Sequence, residues 1–194
     1  MKTHTTLKGT QTEKNIVIAY LAESTAYTRY KFYATKAEKE RYFPIAEAFN
    51  EIADNEMRHA KVYFKYLEGG QVNVSIEVDT NTIGDTWHNL ATAIREEETE
   101  GVKLYTASAI TADEEGFCDI AKHFRAIAEV EATHKKRFEQ LLKQLSDDTI
   151  WKRNKPTTKW KCLVCGYIYE GTEPPAECPA CDHTTEHYIA ICDD

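Results

Sequence analysis

Glu-x-x-His occurs twice in the chain, as Glu56-Met57-Arg58-His59 and as Glu131-Ala132-Thr133-His134. Residues three apart on a helix point the same way, so each pair can grip one cation through a carboxylate oxygen and an imidazole nitrogen. Two more acids, Glu23 and Glu97, sit where apolar residues are expected, and nearly equal intervals separate Glu23 from Glu56 and Glu97 from Glu131. That repetition suggests two similar helical hairpins, each supplying half of one site. A second constellation lies near the C-terminus. Cys162, Cys165, Cys178 and Cys181 follow the spacing C-x2-C-x12-C-x2-C, a specific tetrathiolate signature that suits either zinc or iron.

The elements that must position these residues are legible in the apolar periodicity. Ile16, Ala19, Tyr20, Ala26, Tyr27, Tyr30 and Tyr33 or Ala34 predict a long amphipathic helix over 12–39. A second is predicted from Pro44 through Ala48, Phe49, Ile52, Ala53, Ala60, Tyr63 and Leu67, stopping at Gly69-Gly70. Residues 71–84 alternate and are β-branched, which predicts an extended crossover. A third helix carries Leu90, Ala93, Ile94, Val102, Leu104, Tyr105 and Ala109 from about Asp85 to an acidic turn at 113–116. A fourth spans about Phe117 to Leu145 with Ile120, Phe124, Ile127, Ala128, Phe138, Leu141 and Leu142. Helices of this size are ~35 to 40 Å long. Two short connections and one longer middle crossover make an all-α, ferritin-like four-helix bundle.

Every predicted helix puts a glutamate on its apolar stripe: Glu23, Glu56, Glu97 and Glu131. Buried carboxylates without partners are expensive, and no matching set of core Lys or Arg is apparent from the pattern. Divalent cations remove the difficulty, and one glutamate from each of two helices plus Glu-x-x-His from each of the others is a di-metal carboxylate pattern. In the run Arg95-Glu96-Glu97-Glu98-Thr99-Glu100, Glu96 and Glu98 are expected on a solvated face. Glu100, one turn beyond Glu97, is expected as a further ligand. Tyr30 and Tyr105 share the acidic stripes, so their hydroxyls are expected to find partners among the carboxylates.

The boundaries expected are a bundle over 1–145, a polar proline-containing linker over 146–159 and a small domain over 160–194, too small to hold together without a staple such as a metal. With 194 residues, 32 acidic and 24 basic, the net charge of −8 and the lack of a Lys/Arg run argue against nucleic acid and anionic membrane surfaces as partners. The polar start lacks the apolar region of an export signal and no apolar run approaches a spanning helix, so a cytoplasmic location is expected. Cysteines in C-x-x-C pairs then point to metal rather than disulfides. Cys118 is expected as a helical core residue and Cys192 as a tail residue. His88, His123, His183 and His187 are expected to have no metal role.

Cys162-Leu-Val-Cys165-Gly166-Tyr167-Ile-Tyr169-Glu-Gly171, followed by Cys178-Pro-Ala-Cys181, resembles rubredoxin, which holds one iron on four thiolates. A rubredoxin-like knuckle with short β-strands behind a double Glu-x-x-His bundle resembles the rubrerythrin family over nearly the whole chain. The opening Leu7-Lys-Gly-Thr-Gln-Thr-Glu-Lys-Asn15 and Leu67-Glu-Gly-Gly70 are similar to that family as well. The resemblance implies a peroxidase in which a di-iron(II) site reduces hydrogen peroxide to two waters and the knuckle iron restores the electrons one at a time. By that resemblance Glu56 and Glu131 bridge or support both irons, and Glu23, Glu97, His59 and His134 are mainly terminal ligands. The resemblance also implies that His59 is exchanged for Glu100 on oxidation. The fifth acid leaves a charge of about −1 against two Fe(II) and helps neutralise the oxidised state. An NAD(P)H-dependent reductase or a rubredoxin is implied upstream. Because helix four ends ~21 Å along its axis from Glu131, a homodimer is expected, one chain's knuckle serving the other's di-iron site. A ferroxidase or iron-handling protein, and a bundle with a purely structural zinc ribbon, are the competing readings.

Overall fold

The computed structural model describes residues 6–191, except for the side chain of Glu100. The expected ligand role of Glu100 and the expected tail position of Cys192 therefore lie outside the described residues. Helix α1 spans Gln11–Lys39, α2 Phe43–Phe64, α3 Thr86–Glu96, α4 Leu104–Glu114 and α5 Cys118–Ser146. Strands β1 (Lys159–Cys162), β2 (Ile168–Glu170) and β3 (Tyr188–Ile191) form an antiparallel sheet in the order β2-β1-β3. This is the expected four-helix bundle with a small β-knuckle. The second helix, however, stops at Phe64 rather than at the glycine pair.

Local chemistry fixes the helix starts. Thr10 caps α1 by accepting from Glu13 N at 3.0 Å, while Glu13 Oε2 accepts from Gly9 N at 2.7 Å, so two otherwise unpaired donors are satisfied at once. Asp85 caps α3 through His88 N at 2.8 Å, and proline opens α2 where its missing N–H costs nothing. The third predicted helix is not one regular rod. Between α3 and α4 the backbone of Glu97–Lys103 widens into a π-helix, an interruption that tends to occur at functional sites.

The bundle core is split by a polar layer. On one side Tyr30, Tyr33, Phe49, Ile52, Leu90 and Phe138 pack together. On the other, Ile16, Tyr63, Tyr105, Phe124 and Ile127 do so. Burying such side chains stabilises by roughly 1.5–3 kcal/mol each, which offsets the cost of the charged layer between them.

The knuckle core consists of Trp160, Cys162, Cys178 and Tyr188. The knuckle is seated on the far end of the bundle. His187 stacks on Phe43 with centroids 4.1 Å apart, Trp151 stacks on Tyr42 at 6.0 Å, and Arg41 donates to Glu186 at 3.1 Å and to Thr184 at 3.0 Å. Ile150, in the segment read as a polar linker, is buried in the bundle core. The docking point at Phe43 is about 20 Å along α2 from Glu56. Cys118 corrects its expectation: it is exposed, because it lies on the outer side of a first turn of α5 whose inner side buries Ile120 and Ala121. Among the described residues no helix is long and apolar enough to cross a membrane.

Candidate metal centre

Glu23, Glu56, Glu97 and Glu131 are between 1 and 4 % exposed, and each is delivered by a different helical segment. Two sets of converging donor atoms result. Glu23, Glu56, His59 and Glu131 form one, and Glu56, Glu97, Glu131 and His134 form the other, all donor atoms of a set lying within 4.8 Å of one another. The sets share Glu56 and Glu131.

His59 Nδ1 lies 3.0 Å from Glu56 Oε2, 3.0 Å from Glu131 Oε1 and 3.5 Å from Glu23 Oε2. His134 Nδ1 lies 2.8 Å from Glu131 Oε2, 3.1 Å from Glu56 Oε1 and 3.9 Å from Glu97 Oε1. A ring nitrogen carries at most one proton and can satisfy only one of these oxygens. Glu23 Oε1 is buried with no hydrogen-bond partner, and Glu56 Oε1 and Glu131 Oε1 face the imidazoles at angles that form none. Each unmet acceptor costs ~1–3 kcal/mol or more for a charged group. A cation in each set would satisfy all of them, so the donor set fits a pair of metal ions.

Protons take that role in the bare protein. Burial pushes the Glu23 and Glu97 carboxyls well above the usual carboxylate range, and the neighbouring Glu131 and Glu56 charges add to the rise. Burial works against charging His59, but the carboxylates of Glu131, Glu23 and Glu56 around it outweigh that and lift the imidazole to about 12. His134 rises to about 9 in the same way. Glu131, opposed by burial but held by both imidazoles, falls to about 2. Metal binding here displaces protons, as it does wherever ligands must be deprotonated.

The flanking tyrosines are where the sequence predicts them. Tyr30 donates to Glu97 Oε1 at 2.7 Å, and burial together with the nearby Glu23 charge pushes the Tyr105 hydroxyl well up. Three neighbours were not anticipated. Tyr63, fully buried and facing the field of Glu23, Glu131 and Glu56, bears the same seven-residue relation to Glu56 that Tyr30 bears to Glu23, a signal present in the sequence. Asn55 lies 3.4 Å from His134 Nε2. The contact is through Asn55 Nδ2, on the side of the ring away from the carboxylates; a flipped amide would let Oδ1 accept an Nε2–H instead. Glu96 is 5 % exposed and not on a solvated face; it forms an ion pair with Arg29. Glu98 is half-buried and bonds Lys135 at 2.8 Å. His88, His123, His183 and His187 join neither donor set, and His123 instead meets Tyr66.

A cavity of about 20 Å³ adjoins the carboxylates, lined in part by Ala22, Ala26 and Gly101, room for one or two water-sized species. Gly101 faces Glu131, and a Cβ there would lie 2.6 Å from both Cβ and Cγ of that residue. Gly101→Ala is therefore expected to displace Glu131 and lower metal affinity by about 10- to 100-fold with a stability loss of ~1–3 kcal/mol. Metal uptake per chain checks this, and an unchanged affinity would refute it.

In the knuckle, Cys162 Sγ lies 3.8 Å from Cys181 Sγ and Cys165 Sγ 3.6 Å from Cys178 Sγ. The four thiols form a third convergent donor set, which fits a tetrahedral ion.

Comparison with known proteins points the same way. The family model Rubrerythrin matches residues 14–87 and 88–164, and the model for the rubrerythrin, rubredoxin-like domain matches 160–189. The chain is 41% identical over 186 residues to Rubrerythrin-1 of Clostridium acetobutylicum, covering 94% of this chain and 95% of that one. It is 40% identical over 182 residues to the rubrerythrin of Nitratidesulfovibrio vulgaris, with 94% and 95% covered. A mixed-valence nigerythrin superposes with TM-score 0.63 at 22% identity over 98% of this chain and 96% of that chain. A Desulfovibrio desulfuricans bacterioferritin superposes with TM-score 0.62 at 20% identity over 71% and 83%. The two structures are alike in fold.

Proposed function

Since the chain belongs to the rubrerythrin family, we propose that it is a non-haem di-iron peroxidase that reduces hydrogen peroxide to water in defence against oxidative stress. The observation that carries this reading is the pair of Glu/His donor sets sharing Glu56 and Glu131 beside a cavity of peroxide size, on a chain that also holds a four-cysteine site. Glu23 and His59 would hold one ion, Glu97 and His134 the other, and Glu56 and Glu131 both. Cys162, Cys165, Cys178 and Cys181 would hold the third. Bound there, two ferrous ions supply the two electrons that, with two protons, convert one hydrogen peroxide into two waters, and a thiolate-bound iron supplies their replacement.

The chain's own residues do the rest. Tyr30 holds Glu97 by Oε1, the oxygen that lies 3.9 Å from His134 Nδ1, and so fixes where that carboxylate points, while buried Tyr105 lies in the field of Glu23. The apolar clusters on both sides of the acids exclude bulk water, which strengthens every electrostatic contact inside. The small cavity excludes bulky hydroperoxides.

The knuckle's place supports a homodimer. Its docking point lies about 20 Å from Glu56 along α2, while a groove between α5 and the chain's own β3 passes Thr133, next to His134, and is lined by Lys136, Lys155, Lys159, Arg153 and Arg137, the last of which pairs with Glu51. Residues 160–191 carry Glu170, Glu173, Glu177, Asp182 and Glu186 against Lys161 alone. The acidic knuckle of a second copy is complementary to that groove. Light scattering is expected to give twice 22.2 kDa; a strict monomer with full turnover would rule the arrangement out.

Stopped-flow mixing of the reduced protein with peroxide and, separately, with dioxygen tests the substrate. Faster oxidation by peroxide is expected. Much faster oxidation by dioxygen would favour the ferroxidase reading, and a knuckle filled with zinc alone would remove the electron inlet.

A further inference from the structure

Two adjacent residues of α1 face two adjacent acids at the end of α3. Tyr30 holds Glu97, and Arg29 pairs with Glu96, the two side chains of that ion pair being 11 % and 5 % exposed. Glu96 Oε1 also accepts from Asn81 Nδ2 at 2.6 Å. Asn81 Oδ1 in turn accepts from Arg95 Nη2 at 2.7 Å, and Asp79 accepts from the same nitrogen at 3.2 Å. One buried carboxylate thus ties together α1, the crossover and the last α-helical residue before the π-helix. Glu96 lines the same cavity as Glu97 yet belongs to neither metal donor set.

We propose that Glu96 is a positioning residue: clamped by Arg29 and Asn81, it fixes the point at which the helix widens and so holds Glu97 in place for the Glu97/His134 half of the site. A π-turn sets each following side chain at an angle that a regular helix does not reach, so its starting point decides whether Glu97 faces the metal. Glu23 stands on the unbroken α1 and needs no such clamp. The two halves therefore depend on Glu96 unequally. This inference rests on the di-metal reading above.

The test uses the full-length chain with zinc in the knuckle, titrated anaerobically with cobalt(II) and followed by visible absorption. Wild type is expected to take up two cobalt ions in the bundle. Glu96→Gln is expected to bind the first as wild type does and the second about 10- to 100-fold more weakly. The singly loaded form should show the spectrum of singly loaded His134→Ala, not that of His59→Ala. Asn81→Ala, which spares the ion pair, is expected to weaken the same half by less. Arg29→Lys, which retains the charge, should restore most of what Arg29→Met loses. Unchanged affinities in Glu96→Gln, or equal weakening of both halves, would overturn the role of Glu96. Fewer than two cobalt ions in wild type would instead overturn the di-metal reading, and this inference with it.

Discussion

A chain carrying Glu131→Gln is expected to lose both metal ions of the bundle and, with them, peroxide turnover, by more than about 100-fold. The magnitude exceeds the 10- to 100-fold typical of losing a residue that only supports a ligand, because Glu131 meets both imidazoles. Its Oε1 lies 3.0 Å from His59 Nδ1 and its Oε2 2.8 Å from His134 Nδ1. Neutralising it also removes the charge that lifts both imidazoles in the bare protein, so the two histidines titrate closer to their ordinary range in the variant. Glu23→Gln, which touches only the His59 set, should leave one ion bound. Metal content by elemental analysis separates the cases. Two ions retained in Glu131→Gln would contradict the shared role of that carboxylate.

The second large effect is expected from Cys178→Ser. Cys178 is fully buried beside Trp160 and Tyr188, and so few large side chains cannot stabilise a domain of this size without a staple. Binding of a structural metal supplies about 10–16 kcal/mol in comparable small sites, so losing one thiolate should unfold the knuckle. The bundle has its own core and should retain its two ions. Steady-state turnover fed by an electron donor is then expected to fall to background, while one oxidation of a chemically reduced bundle by peroxide proceeds as in wild type. A variant that keeps donor-fed turnover would show that electrons enter elsewhere.

The metal sites were legible because their chemistry conflicts with their surroundings. Glu23, Glu56, Glu97 and Glu131 stand on apolar stripes, and the four cysteines have a spacing that few structures other than a metal knuckle require. The bundle followed from helical periodicity, and its single crossover from the β-branched 71–84 stretch. Glu96 was not legible for a physical reason. It shares a face of α3 with Asn89, Thr92 and Ala93, and a face so largely polar reads as solvated although it is buried, while its partner Arg29 lies on a distant helix. Cys118 looked like a core residue because free cysteines usually are, whereas it stands on the outer side of α5, opposite the buried Ile120 and Ala121. Tyr63 was within reach of the sequence, since its relation to Glu56 repeats that of Tyr30 to Glu23. Gly101 was not, because its need to be glycine comes from the approach of Glu131 on another helix.

In the proposed function one chain couples a peroxide-reducing di-iron site to a thiolate-bound iron that feeds it. Anaerobic reduction of the iron-loaded protein followed by stepwise addition of hydrogen peroxide, with absorption recorded for both chromophores, tests this most directly. The bundle is expected to oxidise first, the knuckle then to develop its red ferric colour as it returns electrons, and each peroxide to consume two electrons. A knuckle that stays ferrous while the bundle is fully oxidised, or a bundle that peroxide does not oxidise, would contradict it.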